Sequence, residues 1–147
     1  MKIYMDVCCL NRPFDDLSQL RVFFENEAVL SIISYCDSGE WVLCSSSIID
    51  YEVAQISDSE KHEKVIMLYS SASEHIEVTQ DLTERAKQFQ ECGIKYFDSL
   101  HIALAESAKA DVLLTTDDRL IKLSRKTNAN IKVENPVKWL MEVISDE

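Results

Sequence analysis

Strand-like and helix-like patterns alternate from one end of the chain to the other, and this alternation limits the fold more than any other feature. Five short runs read as strands: "KIYMDV" ending near Asp6, "WVLCSS", "HIEVT", "DVLLTT" running into Asp117, and "IKVEN". Between them lie stretches with the apolar period of a helix. One runs from about Gln19 to Ser38, with Phe23, Ala28, Ile32 and Tyr35 on its apolar side and Gly39 where a C-terminal cap belongs. Another starts in "SIIDYEV" with Ser46 or Ser47 as N-cap, and "DSEKHEKVIMLYSSA" follows it. "DLTERAKQFQEC" is opened by Asp81 or Thr83 and closed by Gly93. "YFDSLHIALAESA", "DRLIKLSRKT" and "PVKWLMEVIS" complete the set, the last with Asn135 as cap and Pro136 at its first position. Such alternation predicts an α/β domain: a mainly parallel central sheet between two layers of helices.

With 147 residues the chain suits one domain spanning 1–147. Neither of the two glycines lies in a loop that could wrap a phosphate, so P-loop and dinucleotide fingerprints are absent. The N-terminus lacks a signal-peptide h-region, and no apolar run approaches the length of a membrane span. The five cysteines, without C-x-x-C spacing and mostly within apolar segments, predict reduced, buried thiols in a cytoplasmic protein. The three histidines form no zinc-like cluster with them. A net charge of −11 argues against a protein that coats nucleic acid by bulk electrostatics. The segment from Arg119 to Lys138 nevertheless carries six basic residues and one acid, Glu134. It reads either as a solvated helix face or as a local phosphate-contacting edge.

Parallel sheets bind ligands at the carboxyl ends of their strands. Asp6 ends the first strand, Glu52 lies a turn or so into the helix after the second, and Asp117 ends the fourth. Asp98 opens the helix before that strand. On a helical wheel centred on Phe97, Leu100, Leu104 and Ala108 cluster together, Asp98 falls inside the apolar arc, and Ser99 and Glu106 lie opposite. A carboxylate on an apolar face is costly unless something pairs it. Asp98 therefore either caps the helix or binds something. Four acids converging at one rim would repel one another in a dry pocket. A hard divalent ion such as Mg²⁺ resolves that conflict and suits phosphodiester hydrolysis. Taken singly, each acid also has a plain reading as turn residue, helix cap or solvated side chain. His101 is the histidine nearest to them in sequence.

These residues resemble the PIN domain family, and in particular the VapC-type ribonuclease toxins of toxin–antitoxin pairs. The likeness covers nearly the whole chain. It rests on "IYMDVCCLNRP" for the first acid, "SSSIIDYEV" for Ser47 and the acid five residues later, "YFDSLHIALA" for the third, and "LLTTDDRL" for the fourth. In the last, Thr115, Asp117 and Leu120 match the family's Thr-x-Asp-x-x-(Phe or Leu). The resemblance implies an Mg²⁺- or Mn²⁺-dependent endoribonuclease with Asp6, Glu52, Asp98 and Asp117 as catalytic metal ligands, acting on RNA. It also implies a homodimer and a small antitoxin partner. Asn11, Arg12, Ser47, His101, Thr115, Asp118 and Arg119 are the candidates for support of the metal site or contact with substrate. One departure stands out. Val7, Cys8 and Cys9 occupy the places where the family commonly has Ser or Thr and then Asn or Ser, and Asn11 comes five residues after Asp6.

The alternative is a non-catalytic PIN-like module that binds nucleic acid or protein. A phospho-receiver domain would need a second acid beside Asp6 and a lysine after the last strand, and neither is present. The apolar excess on the helix carrying Phe23, Phe24, Val29 and Ile33 adds to the expectation of a homodimer.

Overall fold

The computed structural model describes residues 1–146. Its centre is a five-stranded sheet, β1 (Lys2–Met5), β2 (Val42–Ser46), β3 (Glu74–Ile76), β4 (Val112–Leu114) and β5 (Lys132–Glu134), in the order β3-β2-β1-β4-β5. Every pairing is parallel. Successive strand residues face opposite sides of a sheet. Ile3, Tyr4 and Met5 are all buried, as are Val112, Leu113 and Leu114, so both faces are covered. The expected three-layer α/β architecture is what the chain adopts.

The flanking helices are α1 (Val7–Asn11), α2 (Leu20–Asp37), α3 (Ser47–Ala54), α4 (Ser59–Tyr69), α5 (Gln80–Glu91), α6 (Tyr96–Ser107), α7 (Asp118–Ser124) and α8 (Pro136–Ser145). The residues after Asp6, which the sequence pattern assigns to no element, form α1 and a 3-10 turn over Arg12–Phe14. At the cap of α3 the choice falls on Ser46, whose hydroxyl accepts from the Ile49 N–H. Helix α5 is capped by Thr79, two residues before the expected Asp81, because the turn of polar residues offers several capping groups. Asn135 caps α8 with Pro136 in its first turn, as expected. Gly39 and Gly93 follow α2 and α5 with φ of 83° and 95°, the left-handed backbone that terminates helices.

Helix α6 departs from the wheel. Ser99, placed opposite the apolar arc, is fully buried, and Phe97, placed at its centre, is exposed. The helix is buried on nearly all sides from Ser99 to Ala105, so a one-sided pattern is a poor guide to it. Helix α2 is split. Val29 and Ile33 enter the core, whereas Leu20 (70% exposed), Phe23 and Phe24 face outward.

Candidate active site

Strand β1 is central, with β2 on one side and β4 on the other, and the chain crosses between these two directions only after β3. The rim above β1 and β4 is thus the topological switch point of the sheet. Two of the four acids stand on it. Met5 pairs with Leu114, and the next amide, that of Asp6, donates to the Leu114 carbonyl at 3.1 Å. The side chain of Asp6 caps α1, its Oδ1 accepting from the Cys9 N–H at 3.1 Å. Asp117 caps α7, its Oδ1 accepting from the N–H groups of Arg119 (3.0 Å) and Leu120 (3.2 Å). Thr115 links the two. Its Oγ1 accepts from the Asp117 N–H at 3.1 Å, and its hydroxyl lowers the Asp6 carboxyl.

Asp98 comes from α6, whose N-cap position is Lys95 without a side-chain cap. Asp98 is thus not the N-cap of α6. It is half-buried in the first turn, and its carboxyl is raised above the ordinary value by burial first, then by Asp117 and Glu52, with Lys95 opposing. With Asp117, Lys95 and Arg119 it lines a small cleft of about 30 Å³. Glu52, on α3, is hydrogen-bonded to Nε2 of the buried His101.

Electrostatics ties the acids together. Asp6 is 4% exposed, and its carboxyl is pushed up to about 6. Burial is the main cause; the Thr115 hydroxyl and the Cys9 amide oppose it, and Asp98 adds to it. Cys8, which like Cys92 is exposed and not buried as the sequence suggests, is the best reporter. Its thiol is pushed up to about 12, chiefly by Asp6, then by burial, Asp98, Glu52 and Asp117. One thiol thus senses all four carboxylates. Among the described residues, no three His, Cys, Asp or Glu side chains form a group ready to hold a metal ion. The acids are electrostatic neighbours, not a closed coordination set.

The remaining candidates divide. Arg12 is turned away from the acids: it bonds Asp15 (2.8 Å) and the buried Glu25 (2.9 Å). Asp118 is neither cap nor neighbour of the cluster, because both its oxygens are held by Arg21 at 2.7 Å. Ser47 accepts from the Val78 N–H at 3.1 Å and fastens α3 to the segment after β3. The Oδ1 of Asn11 is buried without a hydrogen-bond partner. In the basic segment, Arg125 and Lys138 pair with Glu134, and Lys132 pairs with Glu142, so half of its six cations serve structure. Reasoning from sequence missed three participants. Lys95 joins the cleft. Tyr4, in a strand that reads as pure core, bonds His101 Nδ1 at 2.6 Å and Ser46 Oγ at 2.7 Å. Glu25, which the pattern of α2 places on a surface, is buried among Arg12, Arg21 and Asn135.

A parallel α/β sheet with carboxylates gathered at its switch point defines a class of domain, and comparison narrows it. The PIN domain model matches residues 24–126. The chain belongs to the PIN domain family. The matched span includes Glu52, Asp98 and Asp117 and begins after Asp6. Among solved structures, VapBC2 from Rickettsia felis, bound to a DNA fragment from its promoter, is similar with a TM-score of 0.60 and 16% identity, covering 92% of this chain and 98% of that one. PAE2754 from Pyrobaculum aerophilum has a TM-score of 0.59 and 15% identity, covering 100% of this chain and 91% of that one. At these identities the likeness is one of fold. No curated protein matches the chain. No helix among the described residues is long and apolar enough to cross a membrane.

Proposed function

We propose that the protein is a divalent-metal-dependent endoribonuclease, the toxin of a toxin–antitoxin pair, with Asp6, Glu52, Asp98 and Asp117 as the metal-holding carboxylates. The observation that carries this reading is the shared field of the four acids at Cys8, on the rim where a parallel sheet binds its ligands. The donor set fits Mg²⁺ or Mn²⁺, since it offers hard oxygens only, from side chains whose burial leaves their charge poorly solvated. When bound, such an ion supplies Lewis acidity at the phosphoryl oxygen and an activated water.

The chain's own residues hold the acids ready. Capping of α1 and α7 occupies Oδ1 of Asp6 and of Asp117 and fixes both carboxylates in orientation. Thr115 spaces them, and His101 restrains Glu52. Lys95 and Arg119 flank the cleft beside Asp98 and Asp117, where they meet the phosphates of an RNA strand that the −11 body otherwise repels.

Cleavage of RNA by the purified protein with Mg²⁺ or Mn²⁺, abolished by EDTA, is the expected result. Metal-independent cleavage overturns the mechanism. RNA binding without cleavage in any divalent ion favours the non-catalytic module, for which the Val7–Cys8–Cys9 departure speaks. The fold shared with VapBC2 supports a small antitoxin as partner. The outward Leu20, Phe23 and Phe24 of α2 support a homodimer, which light scattering at micromolar protein tests: monomer mass alone would contradict it.

A further inference from the structure

Glu52 sits at the end of a chain of buried hydrogen bonds that begins in its own helix. The Ile49 N–H donates to Ser46 Oγ at 3.1 Å. Ser46 Oγ and Tyr4 Oη are 2.7 Å apart, and Tyr4 Oη and His101 Nδ1 are 2.6 Å apart. His101 Nε2 then reaches Glu52 Oε1. The path leaves the first turn of α3, crosses to β1, passes to α6 and returns to the sixth residue of α3. Ser46, Tyr4 and His101 are all essentially inaccessible to water, so each of their protons needs a partner within the protein.

Counting protons gives the chain a direction. A carboxylate only accepts, so Nε2 of His101 carries a proton. If Nδ1 carried one as well, Tyr4 Oη would accept it and donate its own to Ser46 Oγ. The Ser46 proton would then be left over, because Oγ has only Tyr4 and the Ile49 N–H as neighbours in hydrogen bonding. The opposite direction places each proton once: Ser46 donates to Tyr4, Tyr4 to Nδ1, and Nε2–H to Glu52. The two rings meet edge-on, with centroids 5.5 Å apart and planes at 61°, so the imidazole is held by packing as well as by its two bonds.

We infer that Tyr4 is a positioning residue for Glu52: it locks His101 with its single proton on Nε2, and that N–H holds the Glu52 carboxylate toward Asp98. The inference rests on the reading of Glu52 as part of the nuclease site. Groups that orient a metal-holding side chain cost roughly 10–100-fold in metal affinity or activity when removed.

The test is Tyr4→Phe, which removes the donor to Nδ1 and keeps the ring. In ¹⁵N spectra of the metal-free parent, His101 should show Nδ1 as a hydrogen-bonded acceptor and Nε2 protonated, the signals being assigned by their loss in His101→Gln. In Tyr4→Phe the Nδ1 signal should move toward that of an unbonded acceptor. Cleavage should lose kcat by roughly 10-fold or more with KM little changed, and Mn²⁺ titrated without RNA should bind correspondingly more weakly. A parent His101 protonated at Nδ1 overturns the inference. So does a Tyr4→Phe protein with the parental His101 signals and kcat. Should Tyr4→Phe fail to fold, His101→Gln and His101→Asn replace it: only the Gln amide can reach Glu52 as Nε2 does, so Gln should retain more activity, and equal loss overturns the inference. A parent that cuts no RNA overturns the ribonuclease reading alone, because the imidazole spectrum tests the chain without substrate.

Discussion

Asp6→Asn should make the metal-free protein more stable at neutral pH. The Asp6 carboxyl stands at about 6 in the folded chain against 3.8 when solvated. Its folded value is raised, so between these limits the native state binds more protons than the unfolded state, and stability falls as pH rises. Below pH ~4 both states hold the proton and no penalty exists; above pH ~6 the penalty is complete. Two units at 1.36 kcal/mol each give about 3 kcal/mol as the upper limit. Asparagine cannot ionise, and its Oδ1 can still accept from the Cys9 N–H, so the cap survives. At 2–4 °C per kcal/mol for a chain of this size, Tm should rise by roughly 3–10 °C at pH 7. Urea unfolding in EDTA at pH 4, 5, 6 and 7 checks the shape as well as the sign. The parent should lose stability across this range, the variant should lose less, and the two should converge at pH 4. A variant less stable than the parent at pH 7, or an offset independent of pH, would refute a desolvated, charge-crowded Asp6.

Asp98→Asn should abolish RNA cleavage while leaving the metal-free protein at least as stable as the parent, because it removes a raised carboxyl that is not the N-cap of α6; cleavage at the parental rate would take Asp98 out of the site. Cys8 should react with iodoacetamide far more slowly than the exposed Cys92 at pH 8, since its thiol is pushed up to about 12, and Asp6→Asn should speed it; equal rates by peptide mass spectrometry would dissolve the shared field. Glu25→Ala should cost on the order of 3 kcal/mol in denaturant unfolding, because it strands Arg12 and Arg21 beside a buried gap; a neutral result would mean that this network is only a surface feature. Asp117→Ala should lose about 1 kcal/mol more stability than Asp117→Asn through the lost α7 cap, with RNA cleavage absent from both.

The fold was legible because the five strand patterns are separated by helical periods long enough to identify, and parallel topology follows from that order. Individual caps were less so, since neighbouring Ser, Thr and Asp residues compete for each N-terminus and local backbone decides, as with Ser46 over Ser47 and Thr79 over Asp81. Tyr4 was hidden for a different reason. A tyrosine in a buried strand looks the same whether its hydroxyl is merely satisfied or joins a chain, and its partners Ser46 and His101 lie 42 and 97 residues away. Glu25 pairs locally with Arg21 one helical turn before it, and only folding brings Arg12 and Asn135 to its other side.

The sequence left Asp98 and Asp117 as either caps or ligands and Asp6 as turn residue or ligand, and the geometry shows that capping and binding need not compete. A carboxylate has two oxygens. In Asp6 and Asp117 the helix amides take Oδ1, which leaves each side chain oriented by the backbone with its second oxygen outside the cap. Capping is then what permits acids to crowd before any counter-charge arrives, because amide donors partly offset the repulsion that burial magnifies. Asp98 lacks that support at the uncapped start of α6, and in it burial and like charge prevail over the pull of Lys95. The four carboxylates are therefore unequal: two are fixed by helix ends, Glu52 is bonded by His101, and Asp98 is held by neither kind of contact.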